Sequence, residues 1–309
     1  MKNYTNIDTI NTQYRSDPQD AVRTADAIFQ QQLAETAEKI HAGVRQCPII
    51  LIAGPSGSGK TTTAKKLEEI FDSSGLETHT IPLDNYFRSI PKEDYIHIKS
   101  GKLDLESPER LNTELLSEHL RKLIACEPVT LPYYDFATTT SRCSGITLQR
   151  KPEEPIILEG IHALNPDVIQ IPENQRFAIY VSVQTHISCG DTTMHPLYLR
   201  LMRRMMRDKK YRGRTPLETL EMLSEVERGK LRFIKPFRRY ATHEIDTFFS
   251  YEPGVYRNVL LPELEQAPPC EEITLLCKLL RAAEPVEESR ISQTALIREF
   301  LGGSIYHEK

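Results

Sequence analysis

The segment Gly54-Pro55-Ser56-Gly57-Ser58-Gly59-Lys60-Thr61-Thr62 carries the chemistry most directly readable in this sequence. It satisfies the spacing G-x-x-x-x-G-K-[ST], directly after an apolar run (Pro48 to Ala53) and directly before a helical pattern (Lys60 to Asp72). Glycines let the backbone curl so that successive N–H groups point inward, and the following helix presents its positive N-terminus. Lys60 then reaches the terminal phosphates and Thr61 offers a hydroxyl to Mg²⁺. The pattern predicts a triphosphate site, ATP with Mg²⁺, formed by Gly54, Ser56, Gly57, Ser58, Gly59, Lys60, Thr61 and Thr62. A ligand-free strand-to-helix turn accounts for the glycines but leaves the Lys-Thr pair to chance.

Such a loop alone does not separate ATPase, GTPase, motor and kinase. A guanine switch needs an N-K-x-D motif, which is absent, and the one D-x-x-G, Asp72 to Gly75, closes the helix after the loop and reads as a helix stop. Two carboxylates end apolar strands. Asp84, in IPLDNYF, stands where open parallel sheets present groups to a ligand, and could take the proton of an attacking hydroxyl; the plainer alternative is that it caps the next segment. Glu159 closes PIILEG and is placed to orient Mg²⁺ beside Thr61, unless it merely faces solvent. His162 reads as a packing or hydrogen-bonding residue.

The densest cationic stretch, LRLMRRMMRDKKYRGRTP, holds Arg200, Arg203, Arg204, Arg207, Lys209, Lys210, Arg212 and Arg214. It fits a lid that closes on the triphosphate, supplies arginines to the moving phosphoryl group and excludes water. A solvated basic face and a nucleic-acid patch compete; the patch lacks interleaved aromatics beyond Tyr211. Met202, Met205 and Met206 are expected to pack that helix.

These groups need a scaffold. The 309 residues are 39% hydrophobic, enough for one large core or two modest ones. With 39 Lys+Arg against 43 Asp+Glu, the formal charge of −4 disfavours avid binding to nucleic acid or anionic membrane. The six cysteines form no C-x-x-C pair, which points to free thiols in a reducing cytoplasm. The polar beginning has no signal-peptide core and no long apolar run follows, so no membrane segment is expected. Residues 18–43 carry Val22, Ala25, Ile28, Phe29, Leu33, Ala37 and Ile40 at helical spacing, capped by Asp17 before Pro18. Short apolar runs follow: residues 48–53, 78–83, 129–132, 155–158 and 177–183. They predict a parallel sheet, with helices over 60–72, 108–125, 197–211, 216–239 and 256–265 and a last strand over 246–250. The tail after Pro268-Pro269 reads as two short helices, stopped at Gly302-Gly303, with no chemistry of its own.

In order along the chain, GPSGSGKTT, LDNYF, YDF, LEGI and RRMMRDKKYRGR resemble the uridine kinase and phosphoribulokinase family of P-loop kinases. LPYYDF, ILEGIHALNP, RGRTPLETL and TALIREFLGGS are similar to bacterial uridine kinase-like nucleoside kinases. The resemblance covers roughly residues 40–305. It implies an α/β fold with a P-loop-type parallel sheet, helices on both faces, an arginine-rich lid over about 197–216 and extra helices at both ends. The division expected is a polar leader and amphipathic helix over 1–45, a kinase domain over 46–267 and a helical tail over 268–309.

The same resemblance implies roles. Asp84 is the general base for a 5′-hydroxyl, Glu159 with Thr61 serves Mg²⁺, and Tyr134 and Phe136 wall the nucleobase, with Phe87 where the family usually has Tyr. Arg204, Arg207, Arg212 and Arg214 are the lid and substrate arginines. Asn112, in LDLESPERLN, replaces the Asp that grips the ribose, and Ala137 to Arg142 lack the base-reading His expected after YDF. The activity implied is ATP-dependent phosphorylation of a nucleoside, uridine first. Another alcohol, such as a sugar phosphate or pantothenate, is the alternative acceptor, and an RNA-associated or regulatory nucleotide-binding module the alternative class. Members are often homo-oligomers.

Overall fold

The computed structural model describes residues 3–94, 104 and 106–306. In the run Ile49–Ala53 every side chain is shielded from water, which is the signature of a strand covered on both faces, and it forms the middle of the main sheet. The chain begins with β1 (Tyr4–Asn6), α1 (Ile7–Ser16), α2 (Pro18–His41), β2 (Ile49–Ala53), α3 (Lys60–Ser73) and β3 (His79–Pro82). It continues through α4 (Thr113–Ile124), β4 (Val129–Asp135), β5 (Thr140–Leu148), β6 (Ile156–Glu159), β7 (Arg176–Ser182), β8 (His186–Cys189) and β9 (Thr192–Met194). Then come α5 (Pro196–Arg212), α6 (Pro216–Glu221), α7 (Leu223–Phe233), β10 (His243–Asp246), α8 (Glu252–Leu264), α9 (Glu271–Ala282) and the single turn α10 (Arg298–Leu301).

The main sheet has the order β10-β7-β2-β6-β3, with all its pairings parallel. Successive strand residues point to opposite faces, so one strand feeds two cores. Ile50, Ile52, Ile157, Ile179 and Val181 face the helices of the two chain ends. Ile49, Leu51, Ile156, Leu158 and Ala178 face α4 and the β4–β5 hairpin. In register, Glu159 stands opposite Ile52 of β2 and Pro82 of β3, so the carboxyl ends of three neighbouring strands converge on one edge. That edge is where an open α/β sheet binds ligands.

Helix α2 starts as its sequence dictates: the Asp17 carboxylate accepts the Asp20 N–H at 2.9 Å and Pro18 occupies the first turn. Its expected apolar stripe is buried except for Ile28, which is exposed. Several expectations are corrected. The polar stretch before Asp17 is folded, because β1 pairs with β8 in a small second sheet and Asn6 caps α1 at 2.7 Å. Residues 129–132 do not join the parallel sheet; they pair antiparallel with β5 as a separate hairpin whose outer face meets water. The helix expected over 216–239 is broken at Met222 and ends at Phe233, ahead of Pro236, which lacks the N–H to continue it. The last strand is His243–Asp246, so Phe249 is free to fill the core. Of the two tail helices, α9 is real, and the second is only the turn α10, ended at Gly302 with φ +92°. Among the described residues, no helix is long and apolar enough to cross a membrane.

Candidate active site

The glycine-rich loop leaves β2 and enters α3 with Gly57 and Gly59 at φ +77° and +83°, values that favour glycine. A Cβ on Gly54 would lie 2.0 Å from the Val181 carbonyl oxygen, so the packing admits no side chain there. Three consecutive carbonyls of the loop are pinned from below. Arg200 donates to Ser56 O at 3.2 Å, Arg203 to Gly57 O at 3.1 Å and the Thr247 hydroxyl to Ser58 O at 2.8 Å. In a trans peptide the carbonyl and the next N–H point oppositely, so pinning Ser56 O and Ser58 O sends the N–H groups of Gly57 and Gly59 to the other side. The Ser58 N–H closes a turn on Pro55 O at 3.1 Å. The result is a concave nest of donors at the N-terminus of α3, suited to a polyphosphate.

Around Lys60 the carboxylates gather. Asp84 lies in the turn just beyond β3, where burial raises its pKa and the charges of Lys60 and Arg110 oppose that rise. Glu159 is buried and pushed up to about 7 by that burial, with Lys60 acting against it and Asp84 and Glu299 adding to it. Its Oε1 accepts the Thr61 hydroxyl at 3.3 Å. A hydroxyl and a carboxylate oxygen at one point, next to a phosphate nest, fit a divalent cation of the Mg²⁺ type, which takes few protein ligands and completes its shell from phosphate and water. A carboxylate buried without a cation is costly, and such an ion relieves that cost.

Glu106 is the residue the sequence reading passed over. Its Oε2 is out of solvent with no hydrogen-bond partner, and burial raises its pKa against the charges of Lys60 and Arg204. Helix α7 crosses so near that a Cβ on Gly229 would stand 2.9 Å from Glu106 Cβ. Arg204 is buried, with Nε and Nη1 unpartnered, and burial lowers its pKa to about 10. His162 is likewise enclosed, and burial brings it down to about 4. Buried polar groups of opposite sign without hydrogen-bond partners, Glu106 and Arg204, bear on each other electrostatically, and such groups call for a polar partner. The signal for Glu106 was an acid just before Ser107-Pro108, in the same stretch from which Asn112 was chosen; Leu103 and Leu105 of that stretch lie outside the described residues.

Three aromatic side chains form a wall. Phe87, Tyr134 and Phe136 meet edge to face, with centroids 5.5 Å apart for Phe87–Tyr134 and 5.0 Å for Tyr134–Phe136. Phe136 is 64% exposed and free to cover a ligand. Arg110, absent from the sequence expectations, ties wall to base: its guanidinium lies 4.8 Å from the Phe87 centroid, donates to the Tyr134 hydroxyl at 3.0 Å and bears on Asp84. Asn112 is placed differently. Its Oδ1 accepts the Leu115 N–H at 3.3 Å as the N-cap of α4, which commits that oxygen to the helix.

The arginine-rich segment also divides. Its first three turns are core: Met202, Arg203 and Met205 are fully buried and Met206 nearly so, which corrects the expectation of a lid over the whole of 197–216. Only the far end has lid-like exposure. There Arg207 and Arg212 bond Asp208 Oδ1 at 2.9 and 3.1 Å and Arg214 stands 3.7 Å from Oδ2, three cations on one buried carboxylate. The excess of positive charge is available to an anion.

A glycine loop of the phosphate-binding pattern between β2 and α3, at the carboxyl edge of a parallel sheet flanked by helices, is the architecture of a P-loop kinase. The model of the phosphoribulokinase / uridine kinase family matches residues 49–248, and the chain belongs to that family. It is 32% identical over 203 residues to a uridine kinase of Anoxybacillus flavithermus, covering 64% of this chain and 85% of that one. It is 34% identical over 202 residues to a uridine kinase of Yersinia enterocolitica, covering 63% and 85%. Among solved structures, a candidate fructose transport system kinase from Silicibacter sp. TM1040 shares the fold with a TM-score of 0.50 at 17% identity, over 69% of this chain and 98% of that one.

Proposed function

We propose that this chain transfers the γ-phosphoryl group of ATP to the 5′-hydroxyl of a nucleoside, with uridine the first candidate. The observation that supports the reading is the cluster of charges on buried Asp84, where Lys60 and Arg110 act on it and it in turn acts on Glu106, with Arg110 also on the Phe87–Tyr134–Phe136 wall. The wall suits a flat base, and a carboxylate and a guanidinium suit the two hydroxyls of a ribose. The uridine kinases among its relatives support the same acceptor.

In this reading the loop amides and Lys60 hold the β and γ phosphates. Asp84, its pKa raised by burial, accepts the hydroxyl proton as the oxygen attacks phosphorus. Arg207, Arg212 and Arg214 leave their shared carboxylate, in part or whole, to neutralise the equatorial oxygens of the transferring group. Thr61 and Glu159 hold Mg²⁺, which supplies charge neutralisation of the phosphates when bound.

A second acceptor class, a sugar phosphate or another small alcohol, is favoured by one observation: Asn112 is occupied in capping α4, and the Thr run after Phe136 forms the hairpin turn rather than a base-reading group. The deciding experiment is ADP release with Mg-ATP across uridine, cytidine, adenosine, guanosine, ribulose 5-phosphate and pantothenate, with Lys60→Ala as control and product mass confirmed. Acceleration of roughly a hundredfold by one nucleoside supports the proposal. Acceleration by a sugar phosphate alone moves it to the second class, and ATP binding with no acceptor overturns the kinase reading in favour of a nucleotide-binding module.

A further inference from the structure

The tail beyond α9, in which the sequence showed no chemistry, runs against the phosphate loop. Leu296, Ile297 and Phe300 are fully buried, and a Cβ on Gly59 would meet the Leu296 methyls at 2.6 Å. The Phe300 ring lies 5.3 Å from the Arg203 guanidinium. Further along, the Tyr306 hydroxyl donates to Glu69 at 2.7 Å on the outer face of α3. Between these anchors, Glu299 Oε2 accepts the Thr62 hydroxyl at 2.8 Å and lies 3.4 Å from the Thr62 amide nitrogen.

The position of that carboxylate is informative. Thr62 is the third residue of α3, so its N–H is one of the first-turn donors that no helical carbonyl can satisfy. It directly follows the Lys60-Thr61 pair, within the run of amides that cradles phosphates in loops of this pattern. The charge of Glu299 also bears on Glu159, whose carboxylate accepts the Thr61 hydroxyl. A carboxylate and a phosphate cannot share these donors, and two anions side by side in a shielded site repel.

We propose that Glu299 is a built-in competitor of the nucleotide: it holds a phosphate position in the empty protein and must be displaced for a polyphosphate to seat. The inference rests on the phosphate-loop reading and not on the identity of the acceptor. Since an acidic group at a helix N-terminus is stabilising, the contact favours the empty, tail-closed form and lowers nucleotide affinity in proportion. The tail thereby sets how much nucleotide is needed to occupy the site.

The test is titration calorimetry of the full chain at fixed ionic strength with Mg-ATP and, separately, inorganic tripolyphosphate, comparing wild type, Glu299→Ala and Glu299→Gln, each also melted to establish cooperative folding. The expected result is roughly tenfold tighter binding of both ligands by Glu299→Ala, with Glu299→Gln between it and wild type. In a Thr62→Val background the gain from Glu299→Ala should be smaller than in the wild type, because the shared hydroxyl is gone while the Thr62 amide and the charge of Glu299 remain. A residue that merely caps α3 would, on removal, lower the melting temperature and leave affinity unchanged or weaker, and that outcome overturns the proposal. If Glu299→Ala does not fold, Glu299→Gln decides on the same criterion. If no version binds either ligand, the phosphate-loop reading falls together with this one, whereas equal binding by all versions removes only the competitor.

Discussion

Arg203 donates through Nε to Glu252 Oε2 at 2.8 Å, with both side chains wholly out of solvent, and turns Nη1 onto the Gly57 carbonyl. Burial alone would lower the arginine's pKa, but the charge of Glu252 outweighs it and the guanidinium is held above its ordinary value. The Tyr256 hydroxyl completes the carboxylate's shell at 2.9 Å. An ion pair so placed joins α5, α8 and the phosphate loop into one rigid support.

Breaking that pair strands a buried charge. Arg203→Met is expected to cost about 3–5 kcal/mol in chemical denaturation. A loss below about 1 kcal/mol would mean that the pair is dispensable.

In the proposed mechanism Asp84 sets the acid limb of activity. Its raised pKa places the loss of turnover above the ordinary carboxylate range as pH falls, since a protonated carboxyl cannot take the hydroxyl proton. Asp84→Asn should reduce kcat by roughly 10²–10⁴-fold while leaving ATP affinity near wild type. Unchanged kcat would assign the proton elsewhere.

Glu159 contributes a pH-dependent stability with the reverse of the usual carboxylate sign. Its folded pKa, about 7, exceeds the ordinary 4.5, so between those values the folded chain retains a proton that the unfolded chain has lost. Stability therefore falls as pH rises from about 4.5 to 7, by up to about 3 kcal/mol, and Glu159→Gln should flatten that slope in urea melts. Mg²⁺ with ADP should raise the melting temperature of the wild type more than ADP with a chelator does, and this increment should shrink in Glu159→Gln.

The aromatic wall is predicted to act in binding. Phe136→Ala removes an exposed ring that the fold does not need and should raise KM for the acceptor by about tenfold with kcat nearly unchanged. Arg110→Ala, by contrast, releases both the Tyr134 hydroxyl and the charge beside Asp84, and should change KM and kcat together. If the two variants behave alike, Arg110 does not link wall and base.

The local rules of the chain determined a good part of this protein. An unbroken apolar run before a glycine loop specified a covered strand with a phosphate nest at its end, because turn geometry and helix donors act within a few residues. Asp17 and Pro18 likewise started α2 without help from elsewhere. The tertiary structure decided which of many similar side chains matter. Arg203 and Arg207 are alike in sequence, yet one is wholly buried on Glu252 and the other is partly exposed on Asp208. Asn112 caps α4 by a bond three residues long, whereas Glu106, six positions before it, is enclosed only because the fold brings Gly229 of α7 against it. The strand at 129–132 pairs outside the parallel sheet, with β5, and that pairing was not legible because β5 is an exposed segment with no apolar run to announce it. Glu299 could be read only once the fold carried it across 237 positions to Thr62. Contacts of that range depend on the path of the whole chain, whereas caps, turns and strand patterns are settled by the residues beside them.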